Sequence, residues 1–208
     1  MREKETVLTE SKNERRADSA ALDLLFHNAR SFGAWLDEPV SDDSLRALYD
    51  IARMGPTANN GCPLRLLFLR SAEAKEKLKP CLSPGNVDKT MAAPITAILA
   101  YDRFFFEHMD RLSPGSTAGA RFVEDMEKAE RIARLNATLQ AAYVLMAARA
   151  IGLDCGPMGG FNPGAVDTAF FPDGRIKTFL LCNLGYGDDD LLNPRAFRFD
   201  FDEVCTLL

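Results

Sequence analysis

The chain has 208 residues, 47% hydrophobic and 26% charged, a size that supports one well-buried core and is too small for two typical domains. Its 30 acidic and 25 basic residues leave a net charge of -5 with no basic stripe, which argues against a nucleic-acid partner. No apolar run approaches the roughly 20 residues that cross a bilayer, no secretory pattern opens the chain, and five scattered cysteines with two histidines (His27, His108) offer neither a disulfide framework nor the usual metal site; a cytoplasmic protein without membrane partner or metal is expected.

Residues 1–18 are charged and nearly free of large apolar side chains, so they read as a mobile tail ahead of a single domain over 19–208. A first helix is predicted over 20–29. Ser41 caps a second helix, whose first turn sets Asp42 and Asp43 against the positive dipole end. That helix carries Leu45, Leu48, Ile51 and Ala52 on one face and stops at Gly55-Pro56. The apolar runs 64–69 and 94–101 read as buried strands, separated by a helix starting near Ser71 and a loop holding Pro84-Gly85-Asn86.

From 120 to 151 there is neither proline nor glycine, and one helix of ~48 Å is predicted at 1.5 Å per residue. Leu139, Ala142, Leu145, Met146 and Ala150 recur on its expected core face, and a helix that long often packs on a second subunit too. A short strand then runs into the glycine-rich bend 156–160, followed by a helix over 163–170 and a strand over 176–183. Gly185-Tyr186-Gly187 opens a polar tail. Helices alternating with strands make an α+β or α/β domain.

The chain has no GxGxxG opening a helix, no GxxxxGK[ST] and no GxSxG, so the ordinary dinucleotide fold, P-loop NTPases and α/β-hydrolases are excluded. Several weaker segments remain. Arg30-Ser31 supplies a guanidinium and a hydroxyl suited to a phosphate, or equally to the end of a helix. Pro56-Thr57-Ala58-Asn59-Asn60-Gly61-Cys62-Pro63 is a turn-forming run able to bond a polar ring edge or ribityl chain, and also an ordinary loop. Asn86 and Lys89 share one face if their segment is helical, as surface residues often do. The bend Gly156-Pro157-Met158-Gly159-Gly160 lets main chain approach a flat ligand, or merely turns tightly. Arg195 and Arg198 add positive charge near the C-terminus, where acidic neighbours could pair with them.

Taken in order, these segments resemble the FMN-binding pattern of the nitroreductase family over about 24–208. The resemblance implies an α+β nitroreductase-like fold: a central mixed sheet flanked by helices, with one long core and dimer helix. It further implies an intertwined homodimer holding FMN at the subunit interface. Arg30, Ser31 and Arg198 then match the phosphate grip, and Asn86 and Lys89 the contacts to the flavin pyrimidine. The segment of Thr57 and Asn60 matches one that reaches the flavin from the partner subunit. Pro157, Met158 and Gly159 match the stretch whose main-chain N–H meets flavin N5. Gly33 stands where the family commonly has a second basic residue and Cys62 where it usually has glutamine, so the grip leans further on Arg195 and Arg198.

The wording of 85–90, 153–158 and 183–188 is similar to the malonic semialdehyde reductase subgroup. The expected activity is therefore hydride transfer from NADPH or NADH through FMN to malonic semialdehyde, with Lys89 and a Met158 or Gly159 N–H assisting and no side-chain acid or base required. A broad nitroaromatic or quinone reductase is the alternative, and a flavin-binding protein without turnover is the alternative of another class. Phe104, Phe105 and Phe106, with the loop to about Arg121, are either a lid or core, with at least two of the three rings expected in the core.

Overall fold

The structure, a computed structural model, describes residues 16–208; the predicted tail lies outside the described residues up to position 15. In chain order the elements are α1 (Ser19–Leu22, continued by a wide turn Asp23–His27), α2 (Asp42–Ala52), β1 (Leu64–Leu69), α3 (Ala72–Leu78), α4 (Pro84–Ala92), β2 (Ile95–Asp102), α5 (Met109–Leu112), α6 (Ala118–Glu124), α7 (Met126–Ala150), β3 (Asp154–Met158), α8 (Pro163–Phe170), β4 (Ile176–Gly185) and α9 (Phe201–Val204). The Ser41 cap falls where the sequence puts it, its Oγ accepting from Ser44 N at 3.0 Å, and the helix expected near Ser71 is capped by that residue, whose Oγ accepts from Ala74 N at 3.1 Å.

The four strands form one sheet in the order β1-β2-β4-β3. Each pairing among them is antiparallel, so the sheet departs from the expected mixed one; a single parallel bridge, Ser31 to Cys155, is its nearest approach to mixed character. β2 lies between β1 and β4 and all eight of its residues are buried, which explains its continuous apolar run. One face of the sheet packs on α2 and α7 through Leu48, Ala52, Ala141, Val144 and Ala148. The other meets α3 and α8 through Leu78 and Val166.

Four further expectations are corrected. The stretch 120–151 is two helices, because Asp125 leaves helical geometry (φ -141°, ψ 84°) to cap α7 by accepting from Lys128 N at 2.9 Å. The buried stripe of α7 is the small-residue row Ala129, Ala133, Ala137, Ala141 and Ala148, while Leu139, Ala142 and Ala150 are exposed and Leu145 and Met146 half-buried. Alanine lets the helix lie close to the sheet, so the bulkier residues turn outward. On α2, Ile51 is exposed beside Tyr49. The segment of Pro84-Gly85-Asn86 is not a loop but the first turn of α4, with proline at the helix start where its missing N–H costs nothing.

Phe105 and Phe106 are buried with Met109, Phe122 and Ala133 in a separate cluster, and Phe104 packs partly against it. Two of the three phenylalanines are thus core. Asp102, at the end of β2, anchors this region: its buried carboxylate accepts from Arg65 Nη2 at 2.7 Å, Arg175 Nε at 2.9 Å and Phe104 N at 2.9 Å. Burial alone would raise its pKa, but the Arg175 and Phe104 hydrogen bonds and the nearby guanidinium charges outweigh that and hold it below the ordinary carboxylate value.

Candidate functional site

The segment after α1 crosses the end of the sheet because Phe32 N donates to Cys155 O at 2.9 Å. Gly156, Gly185 and Gly187 each lie where a side chain would strike Phe32, Trp35 or Pro94, so this crossing needs bare backbone beneath it. The C-terminal segment is tied to the same place. Arg195 Nη2 donates to His27 O at 2.7 Å and to Ala29 O at 3.1 Å, and Arg30 Nη2 donates to Asn193 O. Arg30, Ser31, Gly33, Arg195 and Arg198 consequently line one cavity of about 440 Å³, although more than 160 positions separate its two sides.

Among the described residues none of these three guanidinium groups is paired with a carboxylate; their recorded acceptors are main-chain carbonyls. A guanidinium has five donors in a fixed fork, so each keeps capacity for an anion. Such a donor set fits a phosphate.

Beside this cavity stands a second group. The position of a side chain on Gly33 would be 3.8 Å from the Lys89 Cδ, which puts the lysine stem next to the arginine cavity. On α4, Asn86 and Lys89 share a face at i,i+3 spacing. Asn86 Nδ2 donates to Gly160 O at 2.7 Å, and Ser83 N donates to the same oxygen at 3.0 Å, fastening α4 to the glycine bend after β3. Pro157 and Met158 end β3, Met158 buried and Pro157 half-buried, and Gly159 is exposed with open space where a Cβ would stand. A flat ligand could lie against the main chain there. Asn86 Nδ2 carries two N–H groups, so with one on Gly160 O it still offers such a ligand a donor as well as the oxygen.

Thr57 and Asn60 are not brought into either group within the chain. Thr57 Oγ1 accepts from Cys62 N at 3.2 Å, and Asn60 Nδ2 donates to Leu112 O at 2.7 Å, while Asn136 Oδ1 accepts from Ala58 N at 2.7 Å. The loop is thus built on α5 and α7. Asn59, Asn60 and Cys62 have φ of 52°, 53° and 40°, a left-handed conformation that costs energy for residues other than glycine and that asparagine tolerates best.

Neither Asn183 nor Trp35 is given a site role by the sequence alone. Both meet the Lys89 carbonyl, Trp35 through Nε1 at 3.1 Å and Asn183 through Nδ2 at 3.1 Å. A polar residue inside the apolar run of β4 was the available signal. Among the described residues no three His, Cys, Asp or Glu side chains cluster as metal ligands would, and no helix is long and apolar enough to cross a membrane.

The fold, an α+β domain whose arginine cavity lies beside a glycine bend, is identified by comparison with known proteins. The model of the nitroreductase family matches residues 28–186, and the chain belongs to that family. It is 48% identical, over 92% of its length and 98% of the relative's, to a Ralstonia nicotianae protein provisionally named NADH dehydrogenase/NAD(P)H nitroreductase. A Stutzerimonas stutzeri protein of the same provisional name is 50% identical over 91% of this chain and 97% of its own. Among solved structures, the Bacillus subtilis nitroreductase ydfN, also provisionally named, superposes with a TM-score of 0.80 at 19% identity, covering 92% of this chain and 100% of that one. A provisionally named nitroreductase from Exiguobacterium sibiricum in complex with FMN gives 0.80 at 17% identity, covering 93% of this chain and 99% of that one. These last two speak for the fold.

Proposed function

We propose that this chain is an FMN-dependent NAD(P)H oxidoreductase working as a homodimer, with malonic semialdehyde, reduced to 3-hydroxypropionate, as its acceptor. The observation that carries the reading is the convergence of Arg30, Ser31, Arg195 and Arg198 on one cavity with Lys89 at its edge. Bound FMN would supply the two-electron carrier that takes hydride from NAD(P)H and passes it to the acceptor. The arginine cavity would hold the phosphate. Lys89 would place positive charge near the flavin pyrimidine, and the main chain at buried Met158 and exposed Gly159 would face its N5 edge. The names of the relatives support the nicotinamide donor; the wording of 85–90, 153–158 and 183–188 supports the aldehyde acceptor.

A dimer is supported by apolar surface that one chain leaves uncovered. Leu135, Leu139 and Tyr143 on α7 are exposed, as are Tyr49, Ile51 and Met54 at and after α2. The Tyr143 ring lies 2.7 Å from where a Gly55 side chain would begin, so these two rows form one continuous face. Phe197, Phe199 and Phe201 on the C-terminal segment are exposed as well. A second copy would explain why the Thr57 loop lies apart from its own chain's cavity: its residues would serve the partner's flavin.

The nitroaromatic half of the nitroaromatic and quinone alternative is supported by the word nitroreductase in the names of the relatives. Steady-state kcat/KM for malonic semialdehyde against a nitroaromatic and a quinone, with NADPH and NADH in turn, decides between acceptors. The cofactor assignment is tested by titrating FMN into the wild type and an Arg30→Ala, Arg198→Ala variant. Loss of two charge-assisted contacts at about 1.5–3 kcal/mol each is expected to weaken FMN at least about 100-fold; equal affinity would remove the phosphate site.

A further inference from the structure

The C-terminal turn of α4 carries Lys89, and its carbonyls need donor partners that the helix itself does not supply. α4 ends at Ala92 and the chain turns extended at Ala93 (φ -63°, ψ 141°), so the last four carbonyls, from Lys89 onward, have no helical donor. Side chains from distant elements take their place. Lys75 Nζ donates to Thr90 O at 3.2 Å and to Ala93 O. Trp35 Nε1 and Asn183 Nδ2 both donate to Lys89 O, using its two lone pairs.

Asn183 is the central member. It is fully buried in β4, opposite Thr96 in β2 and Gly156 in β3. Thr96 Oγ1 donates to its Oδ1 at 2.8 Å, which fixes the amide plane and aims the NH₂ group at α4. Besides Lys89 O, that NH₂ group reaches Thr90 Oγ1 at 3.5 Å, and the same hydroxyl donates to Met158 Sδ at 3.5 Å. The bare Gly156 leaves the room in which the Trp35 ring reaches this point; a Cβ there would be 3.1 Å from Trp35 Cζ2 and 3.6 Å from Asn183 Cβ.

We infer that Asn183 is a positioning residue: through the Lys89 carbonyl and the Thr90 hydroxyl, one buried amide in β4 sets the lysine of α4 in register with Met158 at the edge of the glycine bend. The inference rests on the flavin reading for its consequence, since Lys89 and Met158 are the groups assigned to neighbouring parts of the same ring system. The amide touches neither ligand nor solvent. It acts by holding the turn from which the ammonium projects, so its removal changes the charge felt by the flavin without removing a charge.

The test uses the full chain with FMN. Asn183→Leu deletes the donor and Trp35→Phe removes the other donor while keeping most of the ring; the second variant serves if the first folds poorly. Each is expected to shift the flavin midpoint potential negative, by an amount equal to about a tenfold change in the ratio of reduced to oxidised FMN binding, the size of one buried hydrogen bond. In a Lys89→Met background the same substitutions should shift it no further. An additive shift in that background overturns the inference, because the amide would then act by some route other than the lysine.

A merely structural role is separated by Val144→Ala, a core truncation in α7, which should lower the melting temperature and leave the potential unchanged. Amide hydrogen exchange of the FMN-free chain gives a readout independent of the cofactor. Asn183→Leu should accelerate exchange in the last turn of α4 well beyond what Val144→Ala does, and equal exchange in both variants overturns the positioning role. Failure of the wild type to bind FMN would count against the proposed function and leave the exchange comparison to decide the positioning.

Discussion

Gly160 shows how a single hydrogen on a backbone can decide whether two segments meet. A Cβ there would stand 2.5 Å from Asn86 Nδ2, the atom that donates to Gly160 O. Its neighbour Gly159 has open space around it, and neither has positive φ, so the two differ in packing and not in backbone freedom. Gly160→Ala is therefore expected to break the link between α4 and the bend, costing about 1 kcal/mol for the hydrogen bond and about 1–3 kcal/mol for overpacking. Gly159→Ala is expected to fall within about 0.5 kcal/mol of wild type. Urea unfolding of both variants checks this, and equal stabilities would mean that Asn86 has another place to go. Of the expected bend 156–160 only Gly159 and Gly160 lie outside β3, so the glycine run was legible in part. Which of its glycines is obligatory was not, since that depends on Asn86, 74 positions away. Asn183 was hidden for the same reason: its partners Thr96 and Lys89 lie 87 and 94 positions off, and only the strand register brings them together.

Elements follow the sequence wherever local chemistry dominates. The Ser41 cap, the helix start near Ser71, the continuous apolar run of β2 and the boundaries of β1 and α8 were all readable from adjacent residues. Asp125 was not, because the helix it interrupts is favoured on both sides and no proline or glycine marks the break. The face of α7 was misread for a related reason: periodicity locates a stripe, but the choice between its alanine row and its leucine row depends on how closely the sheet approaches. A comparable tertiary effect fixes the end of β2. Asp102 joins β2 to β1 through Arg65 and to the start of β4 through Arg175, which also bonds Glu107 at 2.8 Å. Arg175 is in turn held more firmly protonated, chiefly by its hydrogen bond to Asp102. Because the folded pKa of Asp102 is depressed, its contribution is complete above the unfolded value of about 3.9 and is lost as pH falls through the lower folded value. Asp102→Asn is expected to cost about 3 kcal/mol at pH 7, where it leaves two guanidinium groups facing a neutral amide, and to flatten the fall in stability below about pH 4. Denaturation midpoints at pH 7 and pH 3 measure both; parallel curves for the two proteins would remove Asp102 as the source of the acid limb.

At the scale of the whole molecule, one chain makes two of the three groups that the resemblance brings together. The arginine cavity and the α4–bend group are adjacent and complete, whereas the Thr57–Asn60 loop is built on α5 and α7. The outward leucine row of α7 joins these facts. Leu139 is 49% exposed and Leu135 61%, on a helix of about 38 Å at 1.5 Å per residue, and a charge placed there would be harmless in a monomer. In a dimer packed through α7 the same charge would be buried without a partner and strongly disfavoured. Leu139→Glu is thus expected to turn a dimer into a monomer by sedimentation velocity, while the secondary structure and melting of the monomer persist. If the loop serves the partner's flavin, that monomer should also bind FMN more weakly, although Leu139 belongs to none of the groups at the arginine cavity. The two readings separate cleanly. A monomer that keeps full FMN affinity would confine the site to one chain, and a variant that stays dimeric would move the interface away from α7, onto surfaces such as the exposed Phe197, Phe199 and Phe201 of the C-terminal segment.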